Sequence, residues 1–403
     1  MRILNVTQSY APFFEFGGPP VKVRALAEGM VRRGHEVTVL TADWGIEKRV
    51  KDSPGESPAE PGPFGRTQIV KGVTAIYLPT WLHFRATSWN PALGRYLRAA
   101  LAAFDVVHIF GLYDFLGLRV AAECRKRKIP YLVEPIGMFV PIVRNIRLKR
   151  LYHRLWGGDM LRGASAIVAT AEQERDELTA GGIAREKIRL RRNGVEAPAS
   201  LPPRGNFRAA LGIPYEVKLI LFLGRLSRKK SPDLLLTAFG KLQDSRYGAA
   251  VNAHLAFVGP DETGMKAKLV EAAKNLGALA RVHFSEPLTG TAKWEAYRDA
   301  DVFVLPSQNE NFGNTAAEAV TAGTPVIVTD QCGIAPLLKD VAGLVVRHNE
   351  QELVEAMSRL LQSSELWKQL HEGCARAARA MGWEAPLREM EMIYSLLASA
   401  SKS

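Results

Sequence analysis

Residues 301–330 read DVFVLPSQNENFGNTAAEAVTAGTPVIVTD. An apolar run, DVFVL, is halted at Pro306. A polar loop follows, then an Ala-rich segment, then Gly323 and Pro325, then a second apolar run, VIVT. Two short β-branched runs separated by one helical segment are the pattern of a parallel βαβ unit. Asn314 is a good N-cap residue, and Gly followed by Pro stops a helix, so a helix is expected from near Asn314 to the Thr321–Pro325 stretch. The stretch also holds two carboxylates, Glu310 and Glu318. Such a pair raises acid–base cleavage of a glycosidic bond. Glu310, however, lies in the loop and Glu318 about one turn inside the helix, so the two do not share a helix face. The junction itself offers free N–H groups and the positive end of a helix dipole, which suit a diphosphate. Read alone, Glu318 is equally a dipole-complementing acid and Glu310 a solvated loop acid.

The same alternation runs through the chain. In the first half the strand-like runs are RILNVTQ, HEVTVLTA, VTAIYLP, DVVHIF, YLVEP, AIVAT and KIRLRRNG. Helical patterns lie between them, as in VKVRALAEGMVRRG, where Val23, Leu26, Ala27 and Met30 recur at helical spacing. EAPASLPPRGNF (196–207) reads as a linker. The alternation then restarts with VKLILFLGR, AHLAFVGP, VHFSEP, DVFVLPS, TPVIVTD and AGLVVRH. Two α/β domains are expected, 1–197 and 198–380, followed by an amphipathic helix over 381–403. KRVKDSPGESPAEPGPFG (48–65) is expected to be a mobile surface loop. Ligands of doubly wound sheets bind at the carboxyl ends of the strands, so the cleft between two such domains is the expected site.

Composition narrows the class. The 403 residues, 47% of them hydrophobic, suffice for two cores. No apolar run is long enough to span a bilayer, and the start, MRILNVTQSYAPFF, reads as a buried strand and not as a signal peptide. Cys124, Cys332 and Cys374 are widely spaced and odd in number, which argues against a disulfide framework and a zinc site. A cytoplasmic location is expected. The net charge of +12 is uneven: residues 1–200 carry 30 Lys and Arg against 19 Asp and Glu. A basic half suits phosphates, nucleic acid or an anionic membrane, or is simply a soluble surface.

Two further stretches carry chemistry. In FLGRLSRKKSPDLLLTAF (222–239) a strand ends at Gly224, Arg225 and Lys230 follow, and Pro232 opens a helix. An Arg can grip a diphosphate bidentately and a Lys as a point charge. A P-loop needs a second Gly before its Lys-Ser, and Lys229 stands there. In YAPFFEFGGPPVKVRALAEGM (10–30), Gly17 and Gly18 precede a helix opened by two prolines, allowing close approach of a phosphate to the backbone. There is no GxGxxG.

Taken in order, these stretches resemble retaining glycosyltransferases of family 4, with the GT-B fold: two Rossmann-like parallel-sheet domains facing across a cleft, and a C-terminal helix returning to the first. The resemblance spans nearly the whole chain. It rests on FGGPP…LAEGMVRRGHEVTVLT, on LRRNGVE (190–196), on the Arg225–Lys230 loop, on the E-x7-E spacing of Glu310 and Glu318, and on the Trp-containing tail GWEAPLREMEMIYSLL (382–397). It implies a nucleoside-diphosphate-sugar donor, no cofactor and no metal. Arg225 and Lys230 would neutralise the diphosphate as the sugar–phosphate bond breaks. Glu318 would bind the ribose hydroxyls, and Glu310 the donor sugar. The backbone of Asn311, Phe312, Gly313, Asn314 and Thr315 would cap the diphosphate, with Gly17 and Gly18 approaching from the other domain.

Some positions depart from the family pattern. Ser231 follows Lys230 where a Gly is usual. In LVEPIGMF (132–139) the stretch before Gly137 has Ile136 and no His; Glu134 is a candidate substitute base or merely a strand end. His108 in DVVHIFGLY matches a family His and reads as an acceptor-side group or as a satisfied, partly buried histidine. The acceptor is expected on the basic N-terminal domain, as a sugar or lipid-linked sugar. Arg147, Arg150 and Arg154, beside Ile142, Ile146 and Trp156, form a basic stripe suited to an anionic membrane. A role in surface-polysaccharide assembly, peripheral on the membrane, is the leading expectation. The alternatives are a sugar-nucleotide 2-epimerase of the same fold and a basic nucleic-acid-binding protein; CRKRK (124–128) reads as a solvated helix end, and no nucleic-acid partner is expected.

Overall fold

A computed structural model describes the chain except residues 15–16, 48–57, 85–86, 141–151, 153–155, 244–250, 262–263 and 401–403. The chain divides into two compact units. Unit 1 comprises Met1–Asn193 together with Trp383–Ser403, and unit 2 comprises Gly194–Gly382.

Unit 1 contains β1 (Arg2–Thr7), β2 (Glu36–Ala42), β3 (Glu60–Pro61), β4 (Arg66–Val70), β5 (Val73–Leu78), β6 (Leu82–Phe84), β7 (Thr87–Trp89), β8 (Val106–Phe110), β9 (Tyr131–Glu134), β10 (Ala166–Ala169) and β11 (Ile188–Leu190). Nine of these form one sheet in the order β11-β10-β9-β8-β1-β2-β5-β4-β3. Pairing is parallel from β11 to β5 and antiparallel at β5–β4–β3. β6 and β7 pair separately as an antiparallel hairpin. The strands that the sequence did not disclose, β3, β4, β6 and β7, are the antiparallel ones, short and half polar. A two-sided buried strand reads as an apolar run, and an edge strand does not. Within the expected loop 48–65, residues 48–57 lie outside the described residues, and Glu60–Pro61 pair with β4.

Each strand interior feeds both faces of the sheet. Leu4 and Val6 point into one core, with Val107, Ile109 and Leu116. Ile3 points into the other, with Val23, Leu26, Ala27 and Met30 of the helix Gly18–Arg32. That second core is closed by the helix Glu384–Ala400, whose Leu387, Met390, Ile393 and Tyr394 are buried in it. Burial of such side chains is worth ~1.5–3 kcal/mol each. Arg33 fastens the rim, to Glu384 at 2.9 Å and Glu391 at 2.7 Å.

Unit 2 contains β12 (Lys218–Leu223), β13 (Ala253–Val258), β14 (Val282–Ser285), β15 (Val302–Leu305), β16 (Val326–Thr329) and β17 (Gly343–Val346), in the order β14-β13-β12-β15-β16-β17. All pairings are parallel. In KLILFL, Leu219, Leu221 and Leu223 enter one core, and Ile220 and Phe222 enter the other. Winding runs outward through β13 and β14, then restarts on the opposite side of β12 with β15. The order therefore reverses between β12 and β15, where the two carboxyl-end loops turn to opposite faces and leave a crevice. The stretch 196–207 opens this unit, and a helix already begins at Asn206 (Asn206–Leu211).

Gly259, leaving β13, lies against Gly224, leaving β12. Its φ is +140°, and a Cβ there would stand 2.1 Å from the Gly224 carbonyl oxygen. Gly259→Ala is expected to destabilise the protein by about 2–4 kcal/mol, from left-handed strain plus overpacking. Urea unfolding checks this; a variant as stable as the parent would mean that the two strand ends are not in contact.

Candidate functional site

The strand-order reversal in unit 2 brings together the two loops singled out from sequence. After β12, Arg225 is exposed, and Arg228–Lys230 form one 3-10 turn. Ser231 then takes φ +48°, ψ +50°, and the helix Pro232–Leu242 begins. That left-handed conformation explains why a Gly suits the position. Here Ser231 fits it with its hydroxyl 2.9 Å from His348 Nε2 and only 1% exposed. The substitution thus keeps the turn.

The loop after β15 crosses to the first loop. Gln308 N–H donates to the Lys229 carbonyl at 2.9 Å, and the Lys230 ammonium is ion-paired with the Glu310 carboxylate. Glu310 is itself fixed through its backbone: its N–H donates to Gln331 O and its carbonyl accepts from Gly333 N–H, both at 2.9 Å. Phe312 is buried and accepts from Ile334 N–H at 2.7 Å.

The helix Asn314–Thr321 follows, but its cap is not Asn314. Gly313 holds the cap position at φ +108°, and Asn314 is the first helical residue. The physical reason is the left-handed φ together with crowding: a Cβ on Gly313 would meet Ile334 Cγ2 at 2.9 Å. Among the described residues no side chain caps this end, and the Ala316 and Ala317 N–H groups both donate to the Gly313 carbonyl at 3.0 Å; the start of a helix favours an anion. In the first turn the Thr315 hydroxyl is buried without a hydrogen-bond partner among the described residues.

Glu318 is the fifth residue of this helix. Its carboxylate accepts from Lys293 Nζ at 2.8 Å and from the Tyr297 hydroxyl at 2.9 Å. Both donors stand on the helix Gly290–Asp299. Burial, reinforced by Glu318, raises the Tyr297 phenol well above its ordinary value, so it stays a donor. The two acids of the opening stretch therefore have different partners, one a loop cation and the other a helix pair. Lys293 and Tyr297 were not found from sequence; they lie in TAKWEAYRDA, which reads as an ordinary amphipathic helix, and only packing turns them toward Glu318.

In unit 1, Gly17 caps the helix Gly18–Arg32 at φ +94° with Pro at its first positions. One turn on, Lys22 is 3% exposed and its ammonium is ion-paired with Glu134, at the carboxyl end of β9. Glu134 is fully buried and also bound by the fully buried Arg191 at 2.5 Å. His108 Nε2 lies 3.5 Å from the same carboxylate, and its Nδ1 lies 2.8 Å from the Tyr394 hydroxyl. Glu174 accepts from Gly137 N–H at 2.7 Å and Thr170 N–H at 2.8 Å. Burial pushes the Glu134 carboxyl up, but Arg191 and Lys22 outweigh it and hold it far below the ordinary range. Burial lowers the Lys22 ammonium more than Glu134 restores it, and lowers His108 to about 4.

Comparison with known proteins follows this geometry. The family profile for "Glycosyl transferases group 1" matches residues 203–380, and that for "Glycosyl transferase 4-like domain" matches residues 17–194. A D-inositol 3-phosphate glycosyltransferase of Nocardia farcinica is 32% identical over 91% of this chain and 81% of its own. The chain belongs to the group 1 glycosyltransferases of the family-4 type. A glycosyltransferase of Methanocaldococcus jannaschii is 26% identical over 90% of this chain and 89% of its own. Among solved structures, sucrose-phosphate synthase from Thermosynechococcus elongatus superposes with TM-score 0.77 at 20% identity, covering 99% of both chains. Anabaena HepE, described in complex with UDP-glucose, superposes with TM-score 0.74 at 16% identity, covering 99% of this chain and 100% of its own. The fold is GT-B, with two parallel-sheet domains.

The acceptor-side candidates of this glycosyltransferase all lie in unit 1. His108 is fully and not partly buried, and Glu134 is neutralised on two sides by cations. Inside unit 1 the Glu134 carboxylate, at the end of β9, joins Lys22 and Arg191 and lies beside His108, the middle residue of β8. Gly137 is held by Glu174 at a turn where Ile136 and Gly137 both have positive φ. The Arg147, Arg150 and Arg154 stripe lies outside the described residues. Lys22, Arg191, Glu174 and Tyr394 were missed because charged residues on a helix, a loop and a tail read as surface until the fold buries them. Among the described residues no group of three His, Cys, Asp or Glu is placed to hold a metal ion.

His108 gives a pH test. A His neutral in the fold until about pH 4 but titrating near 6.5 when unfolded costs stability as pH falls through that window. The loss is on the order of 3 kcal/mol by pH 4. Asp114, raised by burial to about 6, acts in the opposite sense. Thermal unfolding of the parent and of His108→Asn from pH 7 to 4 separates them: the variant is expected to lose less on acidification, and parallel curves would place His108 in contact with water.

Proposed function

We propose that this glycosyltransferase moves a sugar from a nucleoside-diphosphate sugar to an acceptor hydroxyl, with retention at the anomeric carbon and without a divalent metal. The observation that supports the reading best is the ion pair of Lys230, from the loop after β12, with Glu310, from the loop after β15. Strand-order reversal and a glycine-capped helix start meet at that point, which is chemistry for a diphosphate and the sugar attached to it.

In this reading Arg225 and Lys230 offset the charge that builds on the diphosphate as the sugar–phosphate bond breaks. Glu310 orients the Lys230 ammonium and faces the sugar. Glu318, set by Lys293 and Tyr297, accepts from the ribose hydroxyls. The Asn311–Thr315 segment supplies backbone N–H groups, and Gly17 and Gly18 are the positions in unit 1 where a phosphate can approach the chain closely. No side-chain base is required: in same-face retaining transfer the departing phosphate oxygen takes the acceptor proton. The complex that HepE is described with supports a nucleotide-sugar donor. The basic first half supports an acceptor that is itself anionic or held at an anionic surface, as in glycolipid or surface-polysaccharide assembly.

Steady-state kinetics with a panel of nucleotide sugars tests the assignment. Glu318→Ala is expected to raise the donor KM by about 10–100-fold, the loss of hydrogen bonds to a charged group. Glu310→Ala is expected to lower kcat with KM little changed. Equal, purely catalytic losses from both would restore an acid–base pair. Product formed without any acceptor would instead indicate an epimerase.

A further inference from the structure

Donor binding leaves one face of unit 1 unexplained. The hairpin β6–β7 stands outside the main sheet. On it Leu82 is directly opposite Trp89, and Trp81 donates its backbone N–H to the Trp89 carbonyl at 3.1 Å. Trp81, Leu82 and Trp89 are 74%, 73% and 58% exposed. The hairpin is nevertheless anchored: Ser88 is buried and donates to Asn90 Oδ1 at 2.6 Å, and the Thr87 hydroxyl donates to the Tyr113 carbonyl at 2.8 Å. Leu82 and Trp89 share one face of the hairpin and Trp81 stands beside them at its open end, and large apolar side chains exposed so close in one hairpin mark an interaction surface.

The neighbouring helix tells which kind. The helix Phe115–Arg127 packs against β7. Phe115, Arg119, Ala122 and Lys126 are all exposed and fall at i, i+4, i+7 and i+11, so they share its outer face. The helix packed against this aromatic hairpin thus carries a Phe and two cations, Arg119 and Lys126, along its exposed row. Glu123, beside the row, is bound by Arg127 at 2.6 Å.

We propose that this face docks on an anionic lipid bilayer, with Trp81, Leu82 and Trp89 entering the interfacial layer and Arg119 and Lys126 lying on the headgroups. The amphipathic indole ring favours that layer. Basic side chains next to it are attracted by anionic lipid, and the half of the chain that bears them has 30 cationic against 19 anionic residues. The inference rests on the membrane-side reading of the basic half given above, and assigns it to particular residues.

Flotation of the full chain with vesicles of phosphatidylcholine, with and without phosphatidylglycerol, tests it. Binding is expected to be at least about tenfold stronger to the anionic vesicles and to weaken with salt. Trp81→Ser/Trp89→Ser and Arg119→Glu/Lys126→Glu should each lose at least tenfold, with nucleoside-diphosphate binding unchanged by thermal shift. Binding to neither vesicle, equal binding to both, or variants that bind like the parent would overturn the docking face. So would a dimer that the tryptophan variant dissociates. Vesicle binding that follows the variants in a protein that ignores every nucleotide would sink the nucleotide-sugar reading and leave this one standing.

Discussion

Parallel pairing of every strand in unit 2 is the constraint from which the site follows. Parallel neighbours cannot be joined by a tight turn, so each strand must be followed by a crossover that starts at the same edge. All the loops that leave strands therefore collect at one edge. Because winding restarts beside β12, the loops after β12 and β15 part there and face each other with their helices on opposite sides. Lys230 and Glu310, 80 residues apart in sequence, meet by that route. Glycines at a strand end and at the helix cap, Gly259 and Gly313, let backbone pass where a side chain would not.

Unit 1 uses the same edge differently. Around the carboxyl ends of its central strands it buries a cluster of charges: Lys22 and Arg191 on Glu134, and His108 between Glu134 and Tyr394. Buried ion pairs seldom add much stability over an apolar core, but removing one partner leaves an unpaired charge and is costly. Their consequence here is geometric. Helix Gly18–Arg32, strands β8 and β9, the segment around Arg191 and the helix Glu384–Ala400 are tied at one point. The C-terminal helix is thus bound into unit 1 by a hydroxyl in the charge cluster as well as by its apolar stripe.

The sequence by itself determined much of this. Apolar runs bounded by Gly and Pro gave the parallel strands, because burial on both faces leaves an unbroken hydrophobic signature. That the Arg225–Lys230 loop and the Glu310–Glu318 stretch leave the carboxyl ends of parallel strands was legible because each follows an unbroken apolar run. It could not disclose the antiparallel edge strands, whose half-polar residues carry no such signature, nor that Gly313 and not Asn314 caps the helix, since that depends on crowding by Ile334. Only the tertiary structure decided which charges are buried. Lys22, Glu134 and Arg191 look like surface residues in the chain, and they become one cluster because three distant segments converge; likewise Lys293 and Tyr297 gain meaning only once their helix packs beside Glu318. Local pattern fixes which residues form a strand or a helix, whereas partners separated by tens of residues are set by topology and packing, which no short window of sequence contains.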